Sequence, residues 1–437
     1  MLAAQTPTDI KPIPRARATF PKLIAFGALL FLMFYPSSPV FYISGTLTYI
    51  LSWMTFVIVS LLFIPLRINH NAVTNPLNFL ILYSALHAYM VGPLTHDLRM
   101  LATGTACVIL TLFHHEDIRL FIWWLIKFFV AIFFIGAFVK IMTVVGTIDL
   151  NEWNVTSLSY LSESNPAMTR QNDFFGDALY YMPLYVTSLQ IPPYVNQELF
   201  GFGPFVWYRF SFIFAEPTQL MMFITPLIVA LFSLHEKPVI LRGAFFIIFS
   251  MMMLWSFSII ALIVVFIVIM PAVLLNYYII SRNIKNFRPI YYAYIILFAF
   301  SSVLILFNIG IIDIVFNVNK ASQLSYFITR SILPTSVTLF GLNTGGELYS
   351  GALYGWSNVI YKFGLIGAFI SIYYYAYCFR SSIRDMKSII EPALILSLLM
   401  IMIKYPEFIN IYFTLIASFS VSHQKSRHLK YSSNSRP

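Results

Sequence analysis

Long apolar runs separated by short polar links organise this chain from about residue 22 to its C-terminal tail. A bilayer core of about 30 Å needs about 20 apolar residues per helix, and runs near that length recur throughout. The pattern predicts twelve spans: 22 to 36, 42 to 65, 76 to 93, 99 to 113, 118 to 145, 210 to 233, 239 to 255, 257 to 280, 291 to 312, 356 to 378, 389 to 403 and 408 to 421. In lipid each backbone group must be satisfied inside the protein, so helices are expected, and the alternation of a membrane barrel is absent. The predicted fold is all-α, a polytopic transmembrane bundle forming one integral membrane domain over residues 1–437, and no internal repeat is visible.

Composition agrees, because 59% hydrophobic residues, 10% charged residues and a mean hydropathy of +0.79 suit a lipid-facing surface rather than a water-facing one. Residues 1–21, with Pro7, Pro12, Pro14 and Pro21, read as a cytoplasmic arm, and 422–437 as a cytoplasmic tail. Lys11, Arg15, Arg17 and Lys22 resemble a signal peptide's basic region, but no convincing cleavage site follows, so the first span is read as uncleaved. Cys107 and Cys378 have no metal-ligand spacing and no disulfide partner is evident.

Charge then orients the bundle. A cytoplasmic N-terminus puts about 18 basic residues inside, among them Arg67, Arg119, Lys237, Arg242, Arg282, Lys285 and Arg380, against about 6 outside. The net charge of +10 is thus spread over short inner links, which argues against nucleic-acid binding. Both termini are expected inside, and the two long connections, 147–208 and 313–355, are expected outside.

Those outer loops hold the candidate chemistry. The first is rich in Asn, Ser, Tyr and Pro, including Tyr180-Tyr181 and Pro192-Pro193-Tyr194, a composition suited either to an interfacial lid or to stacking on sugar faces. It closes with Arg209-Phe210-Ser211-Phe212-Ile213-Phe214-Ala215-Glu216-Pro217, where Pro217 suits a helix's first turn and the carboxylate of Glu216 suits its positive dipole end. Arg209 and Glu216 could simply pair at the bilayer rim; alternatively Arg209, a fixed fork of donors, binds phosphate while Glu216 orients it or accepts a proton. The second loop carries Arg330, then Gly341, Asn343, Gly345, Gly346 and Glu347, then Asn358. Clustered Gly and Asn permit a nest of backbone N–H groups around an anion, or an ordinary loop tip. Lys127, Lys140 and Lys362 within spans are costly in lipid. Lys127 is expected to snorkel inward; Lys140, near the outer end, either snorkels outward or contacts an anionic ligand; Lys362 has a possible role in the outer cavity.

The order of these parts resembles a known family. An outer Arg-Phe-x-Phe-x-x-x-Glu-Pro segment (Arg209 to Pro217), the turn Trp255-Ser256-Phe257-Ser258, an outer loop with Arg330 and a downstream Gly, Gly355-Trp356-Ser357-Asn358 and Phe363-Gly364-Leu365-Ile366-Gly367 are similar to the bacterial O-antigen polymerase and ligase superfamily, closer to the polymerases. The resemblance implies metal-independent, inverting glycosyl transfer without a cofactor, on the periplasmic face of the bacterial inner membrane. The donor would be a glycan on undecaprenyl diphosphate and the acceptor a new lipid-linked repeat unit, with a chain-length regulator and a flippase as pathway partners. The family's diphosphate-binding arginines map onto Arg209 and Arg330, with Lys140 as a further cation. Ligases of the superfamily carry a His in the second outer loop, and none lies between Asp313 and Phe363 here. The base is then expected to be Glu347, with Glu216 the alternative and His96 a third candidate. An O-antigen ligase or a lipid-linked oligosaccharide transporter are the alternatives, the latter opposed by the missing repeat between halves.

Overall fold

The computed structural model describes residues 19–35, 38, 41, 45–66, 81–83, 85–86, 94–145, 155–157, 179–181, 212–214, 217–234, 237–256, 270–271, 274–275, 278, 289, 293, 296, 364–373, 411–416 and 418–419. Helices dominate them: α1 (Phe20–Phe34), α2 (Gly45–Phe63), α3 (Leu94–Leu112), α4 (His115–Val144), α5 (Pro217–Ser233) and α6 (Val239–Trp255). Short helical stretches also lie inside the spans predicted at 76 to 93, 257 to 280, 291 to 312, 356 to 378 and 408 to 421; the span predicted at 389 to 403 lies outside the described residues.

The apolar pattern is realised with small shifts. Span 239 to 255 coincides with α6, whereas the span drawn from 210 starts as helix only at Pro217. Residues 212–214 form a turn, and Phe212 has φ 55°, a value that regular helix does not contain. A second difference is a small antiparallel ladder, β1 (Val155–Ser157) with β2 (Leu179–Tyr181), inside the long loop, where period-3.6 patterning gives no signal. In α4, His115–Phe138 is long and apolar enough to cross a membrane; among the described residues it is the one helix that meets that length, the others being shorter apolar helices. At 1.5 Å per residue, the 30 residues of α4 extend about 45 Å, well beyond the hydrocarbon thickness.

Contacts fix the relative directions. α1 and α4 run parallel: Lys22 pairs with Asp117 at 2.6 Å, Phe26 packs on Phe121 at 5.5 Å, and Phe34 stacks on Phe128 at 5.5 Å. α1 and α2 are antiparallel, with Tyr35 at the end of one against Tyr49 at the start of the other, 4.9 Å between rings. α2 and α3 are parallel, since Tyr49 bonds Thr103, Trp53 bonds Thr105 and Phe56 packs on Phe113. The span predicted at 76 to 93 falls between these two parallel neighbours in sequence, and 81–83 and 85–86 within it are helical. α4 and α6 are parallel through Trp123 with Phe245 and Phe133 with Trp255, and α5 joins α6 as an antiparallel hairpin through Phe232 and Phe246.

These directions sort the helix ends into two groups. One end, the basic rim, carries Lys22, Arg119, Lys237 and Arg242; the other carries Tyr35, Ser38, Phe212 and Trp255. The predicted alternation of span directions is consistent with this sorting.

Aromatic rings fill the space between helices. Phe34 is fully buried and meets Phe129, Phe214 and Phe223 as well as Phe128. In lipid such packing and interhelical hydrogen bonds replace the hydrophobic drive available in water, each hydrogen bond contributing roughly 0.6 kcal/mol. The bond from Trp53 Nε1 to Thr105 Oγ1 at 2.9 Å and that from Thr414 Oγ1 to Cys107 Sγ at 3.2 Å are of this kind. Outward faces stay apolar, with Leu47 and Leu62 each 70% exposed and Phe138 57%, a surface suited to lipid.

Candidate functional site

The turn that follows Arg209 in sequence is the described part of the predicted site. Its three residues are buried: Phe212, Ile213 and Phe214 expose 0%, 7% and 0%. Each is held by a different element. Phe212 stacks on Trp255 at the end of α6, ring centroids 6.5 Å apart and planes at 20°. The carbonyl of Ile213 accepts a hydrogen bond from the Ser38 hydroxyl, between α1 and α2. Phe214 lies flat against Phe129 of α4 and Phe223 of α5, at 6.1 and 5.0 Å, and edge-on to Phe34.

Left-handed backbone at a bulky residue such as Phe212 costs on the order of 1 kcal/mol or more, so the surrounding contacts must over-determine it. They do so through the two rings and the captured carbonyl. The turn delivers the chain into α5 at Pro217, whose missing N–H falls where a helix has no partner for it, as the sequence predicts.

Trp255 is also stacked on Phe133 of α4, at 5.5 Å. The Ser256 hydroxyl donates to the Met253 carbonyl at 2.6 Å and its backbone N–H reaches Met252, closing the end of α6. Two segments singled out in the sequence, Arg209 to Pro217 and Trp255 to Ser258, therefore meet through their described residues at one end of the bundle, with α4 between them. Lys140 is in α4, seven residues beyond Phe133 and two beyond the apolar stretch that ends at Phe138. Tyr83, in the helical turn at 81–83, hydrogen-bonds the backbone at Gly367 in the helix Gly364–Tyr373, linking another singled-out segment to the same bundle.

Arg209, Glu216, Arg330, Gly341, Asn343, Gly345, Gly346, Glu347 and Asn358 lie outside the described residues, as do His96's side chain and Lys362. Lys127 is described: its ammonium reaches back one turn to the ring of Trp123, 5.5 Å away, toward the basic rim, the direction expected for it. Sequence reasoning did not anticipate Ser38, Phe133 or the Phe212 ring as supports of the turn. A polar residue in the break between the first two apolar runs was the available signal for Ser38, Phe212 stood out only as a member of the Arg209-to-Pro217 segment, and nothing distinguishes Phe133 from the rest of the 43 phenylalanines.

Compared with protein families, with curated proteins and with solved structures, this chain matches none.

Proposed function

We propose that the chain is a twelve-span polymerase of lipid-linked oligosaccharide repeat units, acting on the periplasmic face of a bacterial inner membrane. The observation that carries the reading is the stack of Phe212 on Trp255, which joins the Arg209-to-Pro217 segment to the turn at 255–258 at the end opposite the basic rim. Arg209 precedes Phe212 by three residues, so chain geometry keeps their α-carbons within about 11 Å. An arginine tethered there borders the end of the bundle expected to face outward.

In the proposed reaction the acceptor hydroxyl of a new repeat unit attacks the anomeric carbon of the growing glycan. The bond from that carbon to the diphosphate oxygen breaks, the hydroxyl proton passes to Glu347 or, as the alternative, Glu216, and undecaprenyl diphosphate leaves. Charge gathers on the diphosphate as the bond breaks, and Arg209 and Arg330, with Lys140 near the end of α4 opposite the basic rim, supply cations for it. A preorganised donor of this type typically lowers the barrier by about 3 to 4 kcal/mol, roughly a hundred- to a thousandfold in rate.

The test is a gel ladder of surface polysaccharide from cells lacking the gene, complemented by wild type or by Arg330→Ala. A polymerase predicts that deletion leaves single repeat units on their acceptor, that wild type restores the ladder, and that Arg330→Ala at equal protein level does not. Polymer accumulating on the lipid carrier would identify a ligase instead, and single units held on the cytoplasmic leaflet a transporter.

A further inference from the structure

We propose that the rim around Trp123 binds the phosphodiester headgroup of an anionic phospholipid. Two ammonium groups converge on this indole from separate elements: Lys127, one turn further along α4, at 5.5 Å from the ring centroid, and Lys237, in the α5–α6 turn, at 4.7 Å. A third cation is close in the fold. Arg242, in the first turn of α6, donates from Nη1 to the carbonyl of Phe232 at 3.4 Å, near the negative end of the α5 dipole, and its Nε is buried without a hydrogen-bond partner. Trp123 is itself 9% exposed and backed by Phe245 at 5.6 Å, so the ring is a fixed platform.

Among the described residues no carboxylate pairs with Lys127 or Lys237: of the two acids on the first turn of α4, Asp117 is occupied by Lys22 at 2.6 Å and Glu116 forms no ion pair with either lysine, while Glu236, next to Lys237 in sequence, lies outside the described residues. Like charges gathered on a partly desolvated ring repel, and an indole face offsets only part of that. A phosphodiester is the complementary group, because its oxygens accept charge-assisted hydrogen bonds from several ammonium and guanidinium donors together. Basic pockets between helices on the cytoplasmic side are the known setting for such headgroups.

The neighbouring surface selects a lipid over free phosphate. Val239 and Ile240, two and three residues beyond Lys237, are 74% and 88% exposed, giving acyl chains an apolar wall directly beside the cations. This inference rests on the membrane-embedded, inside-basic reading of the bundle and not on the polymerase reaction.

The experiment begins with membranes from expressing cells washed in alkaline carbonate and then extracted with detergent. Purified protein is next analysed by native mass spectrometry with phosphatidylglycerol, phosphatidylcholine or inorganic phosphate. The expected result is retention in carbonate-washed membranes, and a preference for phosphatidylglycerol over phosphatidylcholine of roughly thirtyfold, the factor two lysines near an anionic surface supply. The Lys127→Gln/Lys237→Gln double variant falls to parity, the Lys127→Arg/Lys237→Arg variant keeps the preference, and inorganic phosphate does not displace the lipid. Equal retention of the two lipids, an unchanged preference in the glutamine variant, or displacement by phosphate overturns the headgroup site alone. Release by carbonate without detergent overturns the membrane reading and the site with it, whatever the polysaccharide ladder shows.

Discussion

Phe212 and Trp255 lie face to face although 43 positions separate them, and the contact ties a left-handed turn to the last residue of a helix. Replacing Phe212 by Ala removes a fully buried ring, a change that costs about 3 to 5 kcal/mol in well-packed cores. Phe212→Ala should lower the melting temperature of the detergent-purified protein, followed by tryptophan fluorescence, and reduce polymer. Phe212→Tyr keeps the stacked ring and should lose much less.

Asp117→Asn should destabilise more than an exposed substitution would. Lys22 is 12% exposed and Asp117 4%, and removing one partner of a buried pair costs about 3 to 5 kcal/mol because a charge is left uncompensated. Replacing both, as Lys22→Met/Asp117→Leu, should recover most of the melting temperature; a double variant whose loss equals the sum of the two single losses would show that the side chains act independently.

Tyr412→Phe should cost about 0.6 to 1.7 kcal/mol. The Tyr412 hydroxyl donates to the carbonyl of Phe223, three residues before Pro226, where the proline ring interrupts the regular ladder of α5. Losing that donor leaves the carbonyl without its cross-helix partner, and the effect is read as a shift in thermal midpoint.

Sidedness has a direct readout. On a background without cysteine, His114→Cys, at the exposed turn between α3 and α4, should react with a membrane-impermeant maleimide only after the inner membrane is opened. Thr156→Cys, in β1, should react beforehand. Labelling of both from the same side contradicts the proposed topology.

If Arg209 and Arg330 hold one diphosphate, their losses should not multiply. Each Ala variant is expected to slow polymerisation roughly a hundred- to a thousandfold, and the double variant to fall short of the product of the two. Independent, multiplying effects in single-turnover assays of polymer formation would separate the two residues into different sites.

Helix positions were legible in the chain, and α6 shows why: Pro238 and the Ser256 break bracket an uninterrupted apolar run. The basic residues Lys22, Lys237 and Arg242, which the sequence expects on one side, lie at one end of α1 and at or beside the turn between α5 and α6. Helix neighbours were not legible. A helix apolar on all sides has no distinguished face, so nothing in the sequence pairs Phe34 with Phe214 or Lys22 with Asp117. The Val155–Ser157 ladder with Leu179–Tyr181 was hidden for a related reason, since three-residue strands are too short to show a period. Of the candidate site, the backbone of Lys140 and the turn beginning at Phe212 are described, and the arginines and carboxylates enter through the sequence alone.

The pairing of Lys22 with Asp117 also has a consequence in time. The partners are 95 residues apart, so a ribosome adding about 5 to 20 residues per second makes Asp117 some 5 to 20 s after Lys22. On the proposed topology the lysine is, during that interval, an uncompensated positive charge at the mouth of the first span, available to hold that end in the cytoplasm while orientation is decided. Only when α4 arrives is the charge neutralised, so on the proposed topology one side chain acts first as a topogenic signal and then as a rivet between two parallel helices.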